Sequence, residues 1–484
     1  MTFNNKQGKT STAEKLVKNS VWLFLSEVLS KVTALGIQII AARYLGENGF
    51  GVFGFAFIAT GVFLDFIDNG LKVFLTRSIS RSPDLMADYL HNIFALKWFI
   101  SFFSVLIFVV VIYMFPLDRE TLKVICIIGI SLVVNGYTEM YLGVFRAYEQ
   151  MLLVSKLMFL QRILFFVFGF LVLLAGYHVV EFASAFLVSS VVSFFLTRIQ
   201  LKKTRHDLKK KFNWVLIRKI FNESLPICGV VLFSYIYFCI DSILLFLMVG
   251  KSATGWYFAA FKIIESLALF LASIRGALFP TLSRMFFHDD DHFKKLWKEA
   301  VKYLIIIGLP ISAGTAVLAP QLVDVLYGSH YEISGLVLQI MAIPFFLLIL
   351  NEFIAYFLLS ADKTGKVLNI TLSVALFNIA LNLLVIPKWG LIGAAVVAGL
   401  TEFLLLILFF RTINNLYDRT FFIPLVWKPA LSALGMAYFL TKVSWPLIPL
   451  ILTGIGVYLL TLLLLRAFNE QDFMVLRNIF NREG

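Results

Sequence analysis

The stretch AARYLGENGFGVFGFAF, residues 41–57, separates the first two long apolar segments of the chain. A related stretch, LFLMVGKSATGWYFAAF, occupies residues 245–261. At this offset the shared positions align as Gly46 with Gly250, Gly51 with Gly255, Ala56 with Ala260 and Phe57 with Phe261. A period this long indicates a duplicated half-protein rather than a solenoid of short repeats.

The composition around these stretches excludes a soluble globular protein. The 484 residues are 60% hydrophobic and 15% charged, with a mean hydropathy of +0.88, whereas a soluble domain carries roughly 25% charged residues. Apolar segments of about 20 residues, each long enough to cross the hydrocarbon core, recur along the chain. We therefore predict an all-α polytopic membrane protein. The polar residues 1–18 are predicted to be a retained tail and not a cleaved signal peptide.

The apolar segments predict about fourteen transmembrane spans in a two-lobed bundle with a parallel internal repeat. Polar and turn residues mark the breaks between spans, among them residues 46–49 and 387–390. The predicted organisation is a tail at 1–18, an N-lobe at 19–198, a basic linker at 199–224, a C-lobe at 225–411, two extra helices at 424–466 and a tail at 467–484.

The formal net charge of +13 is distributed unequally between the two sides of the predicted bundle. Lys and Arg concentrate on the side of the termini and of the basic loop at 198–219, and few lie on the other side. This bias predicts cytoplasmic N- and C-termini. Base-stacking aromatics are nearly absent from the basic loop, so we interpret it as a contact for anionic lipid headgroups and not for nucleic acid.

Ionisable residues at membrane depth are costly, and they usually face a bundle interior or a wet cavity. Lys31, Arg162 and Lys262 fall deep in the predicted spans. A buried cation that no carboxylate fully cancels needs an anionic ligand, so these residues are candidates for binding an anionic substrate. Arg275 is a further candidate, although it could reach the membrane interface by snorkelling.

The deep carboxylates have two open interpretations. Asp65, Asp68, Asp241 and Glu265 are candidates for ion coupling or gating, but ion pairs with Lys72 or Lys262 explain most of them equally well. Other polar residues are predicted to make hydrogen bonds or ion pairs between helices, namely Glu139, Glu352, Glu402, Asn378 and Asn382.

No catalytic, metal or cofactor motif stands out. The segment HDDDH at 288–292 is interpreted as a charged connector, and the three cysteines lack CxxC spacing. No glycine-rich phosphate loop followed by Lys-Ser or Lys-Thr is present, which excludes an ATPase motor within this sequence. We expect a protein that is not an enzyme and has no cofactor. Active transport would then use an H⁺ or Na⁺ gradient, the membrane potential or the substrate flux.

Several loose motifs occur in a specific order along nearly the whole chain. They are ARYLGENGFGVFGFA at 42–56, DNGL at 68–71, DSIL at 241–244, LFPTLSR at 278–284, LYG at 326–328, and Asn378, Asn382, Pro387 and Gly390. Together they resemble bacterial polysaccharide biosynthesis flippases of the Wzx type, which transport O-antigen units. These flippases belong to the MOP superfamily, which also holds the MATE exporters and the lipid II flippase.

The resemblance implies a flippase of the bacterial cytoplasmic (inner) membrane. Such a protein moves an undecaprenyl-diphosphate-linked oligosaccharide, the repeat unit of O-antigen, capsule or exopolysaccharide, to the outer leaflet by alternating access. Lys31, Arg162, Lys262 and Arg275 would then form a cationic cleft. Membrane lipids, a polysaccharide polymerase and glycosyltransferases are the expected partners. The aligned glycines, Gly46, Gly51, Gly250 and Gly255, are predicted to serve tight turns and close helix approach.

Three alternatives remain open at this point. A MATE-type cation-coupled drug antiporter would need net-acidic cavities, whereas Lys31 and Arg162 are among the deepest charges here. An integral-membrane glycan polymerase or ligase usually carries a large external loop, and every external loop of the predicted topology is short. A scaffold without transport activity would leave the deep cations unexplained.

Overall fold

The structure is a computed structural model of the chain, and it describes residues 12–81, 85–204, 212–285, 290–361, 363–413 and 422–467. Within these ranges, side chains are described except at 12–28, 64–69, 73, 77, 81, 204, 269–296, 360 and 422–424. The described backbone is helical, without strands. Its helices are α1 (Thr12–Arg81), α2 (Met86–Tyr113), α3 (Arg119–Ala147), α4 (Met151–Leu174), α5 (Val179–Thr204), α6 (Trp214–Met248), α7 (Lys251–Met285), α8 (Asp290–Tyr327), α9 (Glu332–Ala342), α10 (Phe345–Ser360), α11 (Thr364–Ile413), α12 (Phe422–Lys442) and α13 (Leu447–Leu464).

The two longest helices are each broken at a glycine. Helix α1 has 70 residues and departs from helical geometry at Gly46, where φ is 66° and ψ is −179°. Helix α11 has 50 residues and breaks at Gly390, where φ is 55° and ψ is −135°. A positive φ at these ψ values is accessible essentially only to glycine. The breaks predicted at 46–49 and 387–390 are confirmed, and each long helix is a pair of segments.

The all-α, multi-pass character predicted from composition is confirmed. In the described part of the chain, nine helices are long and apolar enough to cross a membrane, or up to ten if α9 and its preceding turn form one span with α10, across a bend of 50°. Two of the nine, α1 and α11, contain the glycine breaks. The number of about fourteen spans and the lobe boundaries stay predictions.

The first compact unit comprises Met1–Leu45 and Ala56–Leu232. Its core is formed where the second segment of α1 packs with α2, α3 and the start of α6, and the buried residues there include Leu75, Ile93, Met140 and Ile220. Asp118 caps α3, because its carboxylate accepts hydrogen bonds from the backbone N–H and the hydroxyl of Thr121.

The second compact unit comprises Gly46–Phe55 and Phe233–Gly484. The short segment from α1 is held by aromatic packing, in which Phe55 stacks on Phe246 with 3.9 Å between ring centroids. The last two helices, α12 and α13, also belong to this unit. The Tyr458 hydroxyl of α13 donates a hydrogen bond of 2.7 Å to the carbonyl oxygen of Ile306 in α8.

The two related glycine stretches pack directly against each other within the second unit. A Cβ atom at Gly51 would overlap the carbonyl oxygen of Lys251, and a Cβ atom at Gly255 would overlap that of Glu47. Lys251 is the repeat counterpart of Glu47, so the contact is reciprocal, as expected where a two-fold axis relates two surfaces. Glycine is needed at both positions because each backbone approaches the other too closely for a side chain.

Candidate functional site

The second unit contains a buried polar cluster built around Asp241. This residue comes from α6, and 2% of its surface is exposed. Its two carboxylate oxygens accept hydrogen bonds of 2.7 Å from the Tyr257 hydroxyl of α7 and the Asn382 amide of α11. Such donors replace water around a carboxylate in an apolar bundle. We call Asp241, Tyr257, Asn378, Asn382 and Thr401 the Asp241 cluster.

Helix α11 supplies three members of this cluster from both sides of its break. Asn378 and Asn382 lie one helical turn apart before Gly390, and Thr401 follows it. The Asn382 amide donates to Asn378 Oδ1 at 3.0 Å, and the Asn378 amide donates to Thr401 Oγ1 at 2.9 Å. The fold-back at Gly390 therefore joins residues 23 positions apart into one hydrogen-bonded chain.

The Asp241 cluster is rich in oxygen acceptors. Among the residues that the structure describes, no Lys or Arg forms an ion pair with Asp241. The Oδ1 atom of Asn382 is buried and has no hydrogen-bond partner in the structure. An unpartnered acceptor of this kind is rare in a protein interior and requires a specific reason. One carboxylate with neutral amide and hydroxyl oxygens is a donor set that suits a small hard cation.

A cavity of about 40 Å³ adjoins the Asp241 cluster. Its walls include Tyr237, Asp241, Tyr257, Thr401 and Glu402. One water molecule needs roughly 10–15 Å³ of such volume. The cavity therefore has room for a small ion together with water beside the Asp241 carboxylate.

Glu402 also lines this cavity, and its hydrogen-bond donor comes from another helix, α10. The Asn351 amide of α10 donates hydrogen bonds of 2.8 Å to both the backbone carbonyl and Oε2 of Glu402. The prediction that Glu402 and the two Asn of α11 make hydrogen bonds between helical segments is confirmed.

Lys262 forms an ion pair with Glu265 of the same helix. Its side chain is 7% exposed, and Nζ contacts Glu265 Oε2 at 2.6 Å and lies 4.8 Å from the centroid of the Phe258 ring. From the sequence, Lys262 is expected to be a cation that no carboxylate fully cancels. An anionic ligand would instead have to compete with Glu265, which is half-buried. The functional roles of both residues stay predictions.

Among the remaining charged residues that were predicted to form the site, some have described side chains and others do not. Lys31 and Arg162 belong to the first unit, where the Lys31 side chain is half-buried and that of Arg162 is exposed. The side chains of Asp65, Asp68 and Arg275 lie outside the described residues. Of the glycines, Gly46 and Gly250 have positive φ values of 66° and 122°.

The first unit contains a charged cluster in which two cations share one carboxylate. Lys72 Nζ of α1 lies 3.3 Å from Glu139 Oε2, and Arg146 Nη1 of α3 lies 3.1 Å from the same oxygen. The prediction that Glu139 forms an interhelical ion pair is confirmed. We call these three residues the Glu139 cluster.

Sequence reasoning did not identify Tyr257, Thr401 or Arg146 as parts of a site, and it named Lys72 only as an ion-pair partner of the deep carboxylates. Tyr257 and Thr401 are common residue types without local signature, since their partners come from other helical segments. Arg146 could have been found, because it lies seven residues, about two helical turns, after Glu139 on the same face of α3.

The sequence model of the polysaccharide biosynthesis protein family matches residues 16–286, more than half of the chain. The chain belongs to this family. The MatE family model also matches residues 226–384, which contain the Asp241 cluster up to Asn382.

Two relatives extend the polysaccharide biosynthesis match over most of the chain. The capsular polysaccharide biosynthesis protein CapF of Staphylococcus aureus is 23% identical over 83% of this chain and 100% of its own length. The probable low-salt glycan biosynthesis flippase Agl15 of Haloferax volcanii is 22% identical over 80% of this chain and 81% of its own.

Among solved structures, the lipid II flippase MurJ in an inward closed conformation shares this fold. The TM-score is 0.74 at 17% sequence identity, over 92% of this chain and 98% of MurJ. This likeness establishes that the chain shares the helical fold of MurJ.

Proposed function

We propose that this protein is a flippase that moves an undecaprenyl-diphosphate-linked oligosaccharide from the inner to the outer leaflet of the cytoplasmic membrane. The observation that carries the proposal is membership of the polysaccharide biosynthesis family together with a fold shared over 92% of the chain with a lipid flippase. It is a transport protein and not an enzyme.

The chemistry of this substrate fits the charges of the chain. A diphosphate and sugar hydroxyls must cross an apolar core, whereas a prenyl tail can stay in lipid. The headgroup therefore needs cations and polar groups along its path. Lys31, Arg162, Lys262 and Arg275 are the proposed cations, and alternating access between two lobes is the proposed mechanism.

We further propose that the Asp241 cluster binds a coupling cation. A proton would need only the carboxylate, whereas the unpartnered Asn382 oxygen and the neighbouring neutral oxygens favour Na⁺ over H⁺. Occupation would neutralise a buried charge that has no ion-pair partner in the described chain. A difference in Na⁺ affinity between two lobe arrangements would couple the gradient to transport.

The proposed setting follows from the charge bias. Both termini lie in the cytoplasm, and the glycan reaches the protein from glycosyltransferases and leaves it to a polysaccharide polymerase.

A MATE-type drug antiporter is the second candidate, favoured by the MatE match at residues 226–384. Gradient-driven export of a cationic dye by the purified protein would support that alternative.

The test is transport of a defined fluorescent prenyl-diphosphate oligosaccharide in liposomes, with a Na⁺ gradient, an H⁺ gradient or neither. We expect flipping by the wild type and acceleration by Na⁺. Asp241→Asn keeps the size of the side chain and should weaken the Na⁺ response by about ten- to a hundredfold in concentration. Glu181→Gln, a change at an exposed carboxylate of α5, is the matched control.

The outcomes separate the two parts of the proposal. No flipping under any condition would contradict the flippase function. Flipping with equal rates in all gradients, or unchanged Na⁺ dependence in the Asp241→Asn protein, would contradict only the coupling site.

A further inference from the structure

Two amide side chains join α3 and α4 in the first unit, near the middle of both helices. Gln161 Nε2 of α4 donates a hydrogen bond of 2.7 Å to Asn135 Oδ1 of α3. At 1.5 Å per residue, the two residues lie about 15–18 Å from the helix ends that the charge bias assigns to the cytoplasm. They are therefore near the centre of a hydrocarbon core of about 30 Å. We call Asn135 and Gln161 the amide pair.

Most of the hydrogen-bonding capacity of the amide pair is unused. An amide side chain has two N–H donors and a carbonyl oxygen that can accept twice. Apart from the bond between them, neither side chain makes a hydrogen bond with another described residue. Both residues are half-buried, and neither Gln161 Oε1 nor Asn135 Nδ2 is among the buried atoms without a partner. These atoms are therefore accessible to a ligand.

The facing sides of α3 and α4 carry polar groups from the cytoplasmic end as far as the amide pair. Arg146, in the last turn of α3, donates from Nη2 to the sulfur of Met158 in α4 at 3.6 Å. Glu139 lies one turn from Asn135 on α3, and Met158 lies one turn from Gln161 on α4. Polar groups at membrane depth usually face a bundle interior or a wet cavity. The amide pair is thus the inner end of a polar track.

The chemistry of the amide pair suits a sugar and not a phosphate. A sugar hydroxyl both donates and accepts hydrogen bonds, as an amide does, whereas phosphate oxygens attract cations. Arg162, one of the cations proposed to contact the diphosphate, directly follows Gln161, and consecutive Cα atoms are about 3.8 Å apart. The first sugar of the proposed substrate is bonded to its diphosphate. A neutral polar group beside Arg162 is therefore close to where that sugar would lie.

We propose that the amide pair is a sugar subsite, which binds hydroxyl or N-acetyl groups of the sugar joined to the diphosphate and contributes to the choice of glycan. The inference rests on the proposed flippase function and deepens it. Gln161 Oε1 accepts from one sugar hydroxyl, and Asn135 Nδ2 donates to a neighbouring oxygen of the same sugar. The hydrogen bond between the two side chains fixes their relative position. Loss of either amide should weaken sugar binding without weakening diphosphate binding.

The measurement is calorimetric titration of the full-length protein in neutral detergent. The probes are farnesyl diphosphate and farnesyl diphosphate that carries glucose, galactose, N-acetylglucosamine or N-acetylgalactosamine. We expect at least one sugar to raise the affinity of the wild type above that for farnesyl diphosphate. Gln161→Met and Asn135→Leu keep the side-chain shape and should bind this sugar-bearing probe about tenfold more weakly. Their affinity for farnesyl diphosphate should stay unchanged.

Asn222→Leu is the matched control, because Asn222 is an exposed amide of α6 in the same unit. Thermal unfolding of every variant shows whether it is folded, and if Asn135→Leu does not fold, Gln161→Met carries the test. A pair that only joined α3 to α4 would lower the melting temperature of its variants and change the affinity for all probes alike or for none. That result, or a wild type whose affinity no sugar raises, would overturn the proposal.

Transport in liposomes separates the subsite from the flippase function. A site that hydrogen-bonds a hydroxyl discriminates between sugars that differ in its position. Gln161→Met should therefore flip the preferred sugar and its epimer at more similar rates than the wild type does. Unchanged discrimination in this variant would contradict the subsite alone. Absence of flipping by the wild type would contradict the flippase function, and the calorimetric comparison would still decide whether the amide pair binds sugar.

Discussion

Tyr257 and Tyr458 make hydrogen bonds of equal length to acceptors of different charge. The hydroxyl of Tyr257 donates to the Asp241 carboxylate at 2.7 Å, and that of Tyr458 donates to the neutral carbonyl of Ile306 at 2.7 Å. Both hydroxyls are buried in the second unit. The pair therefore compares a charged acceptor with a neutral acceptor at the same donor–acceptor distance.

We expect Tyr257→Phe to lower the free energy of unfolding by about 1.5–3 kcal/mol and Tyr458→Phe by about 0.5–1.5 kcal/mol, since hydrogen bonds to charged groups contribute more. Thermal unfolding in detergent measures both. Saturating Na⁺ should reduce the deficit of Tyr257→Phe alone, because a bound cation neutralises the Asp241 charge that makes this hydrogen bond the stronger one. Equal losses in the two variants would indicate that Asp241 is uncharged in the folded protein.

At the scale of elements, the reciprocal contact between the glycine stretches requires glycine, which has no side chain, at both Gly51 and Gly255. A methyl group at Gly255 would overlap the Glu47 carbonyl, whereas Gly456 in α13 has no atom within 4 Å of its Cβ position. Both glycines lie within helices, but only Gly255 is crowded by other atoms. Replacement by alanine therefore has opposite expected effects at the two positions.

We predict that Gly255→Ala destabilises the protein by about 1–3 kcal/mol through overpacking. Gly456→Ala should stabilise it by about 0.4–1 kcal/mol, because alanine reduces the conformational entropy of the unfolded chain. Melting temperatures of the purified proteins provide the comparison. A harmless Gly255→Ala would show that the helices separate easily here and that close approach is not required.

At the scale of the whole molecule, the cations proposed to contact the substrate include Lys31, Arg162 and Lys262. Replacement of each by Ala should abolish transport in liposomes while leaving membrane insertion intact, because a diphosphate without a cation has no compensation in an apolar environment. Lys123→Ala, at an exposed residue of α3, is the control.

Lys262 requires one further variant because of its pairing with Glu265. Lys262→Ala alone leaves a partly buried carboxylate, whereas the double variant Lys262→Ala with Glu265→Ala removes both charges. Loss of transport in the double variant would support a role in substrate binding, and recovery would reduce Lys262 to a partner of Glu265. Normal transport in all three single variants would contradict the cationic cleft.

The sequence by itself determined the all-α membrane class and the positions where long helices break. Hydropathy is a sum over neighbouring residues, and the positive φ of Gly46 and Gly390 is a local conformational property. The family was also accessible from the sequence, since its motifs keep their order along the chain. The i,i+3 spacing of Lys262 and Glu265 was enough to recognise them as neighbours on one helix face. The spacing did not show whether the two side chains form an ion pair.

Only the tertiary structure decided which polar groups meet. Asp241 and Asn382 are 141 residues apart, and Arg146 shares Glu139 with Lys72, which lies in another helix. In a membrane bundle many helices are apolar on every face, so the sequence does not fix how each helix is rotated about its axis or at what depth it packs. That rotation and depth bring Asp241 against the Tyr257 hydroxyl and the Asn382 amide, and they place two cations beside the Glu139 carboxylate. The sequence therefore determined which charges the membrane must accommodate, and packing determined how each one is compensated.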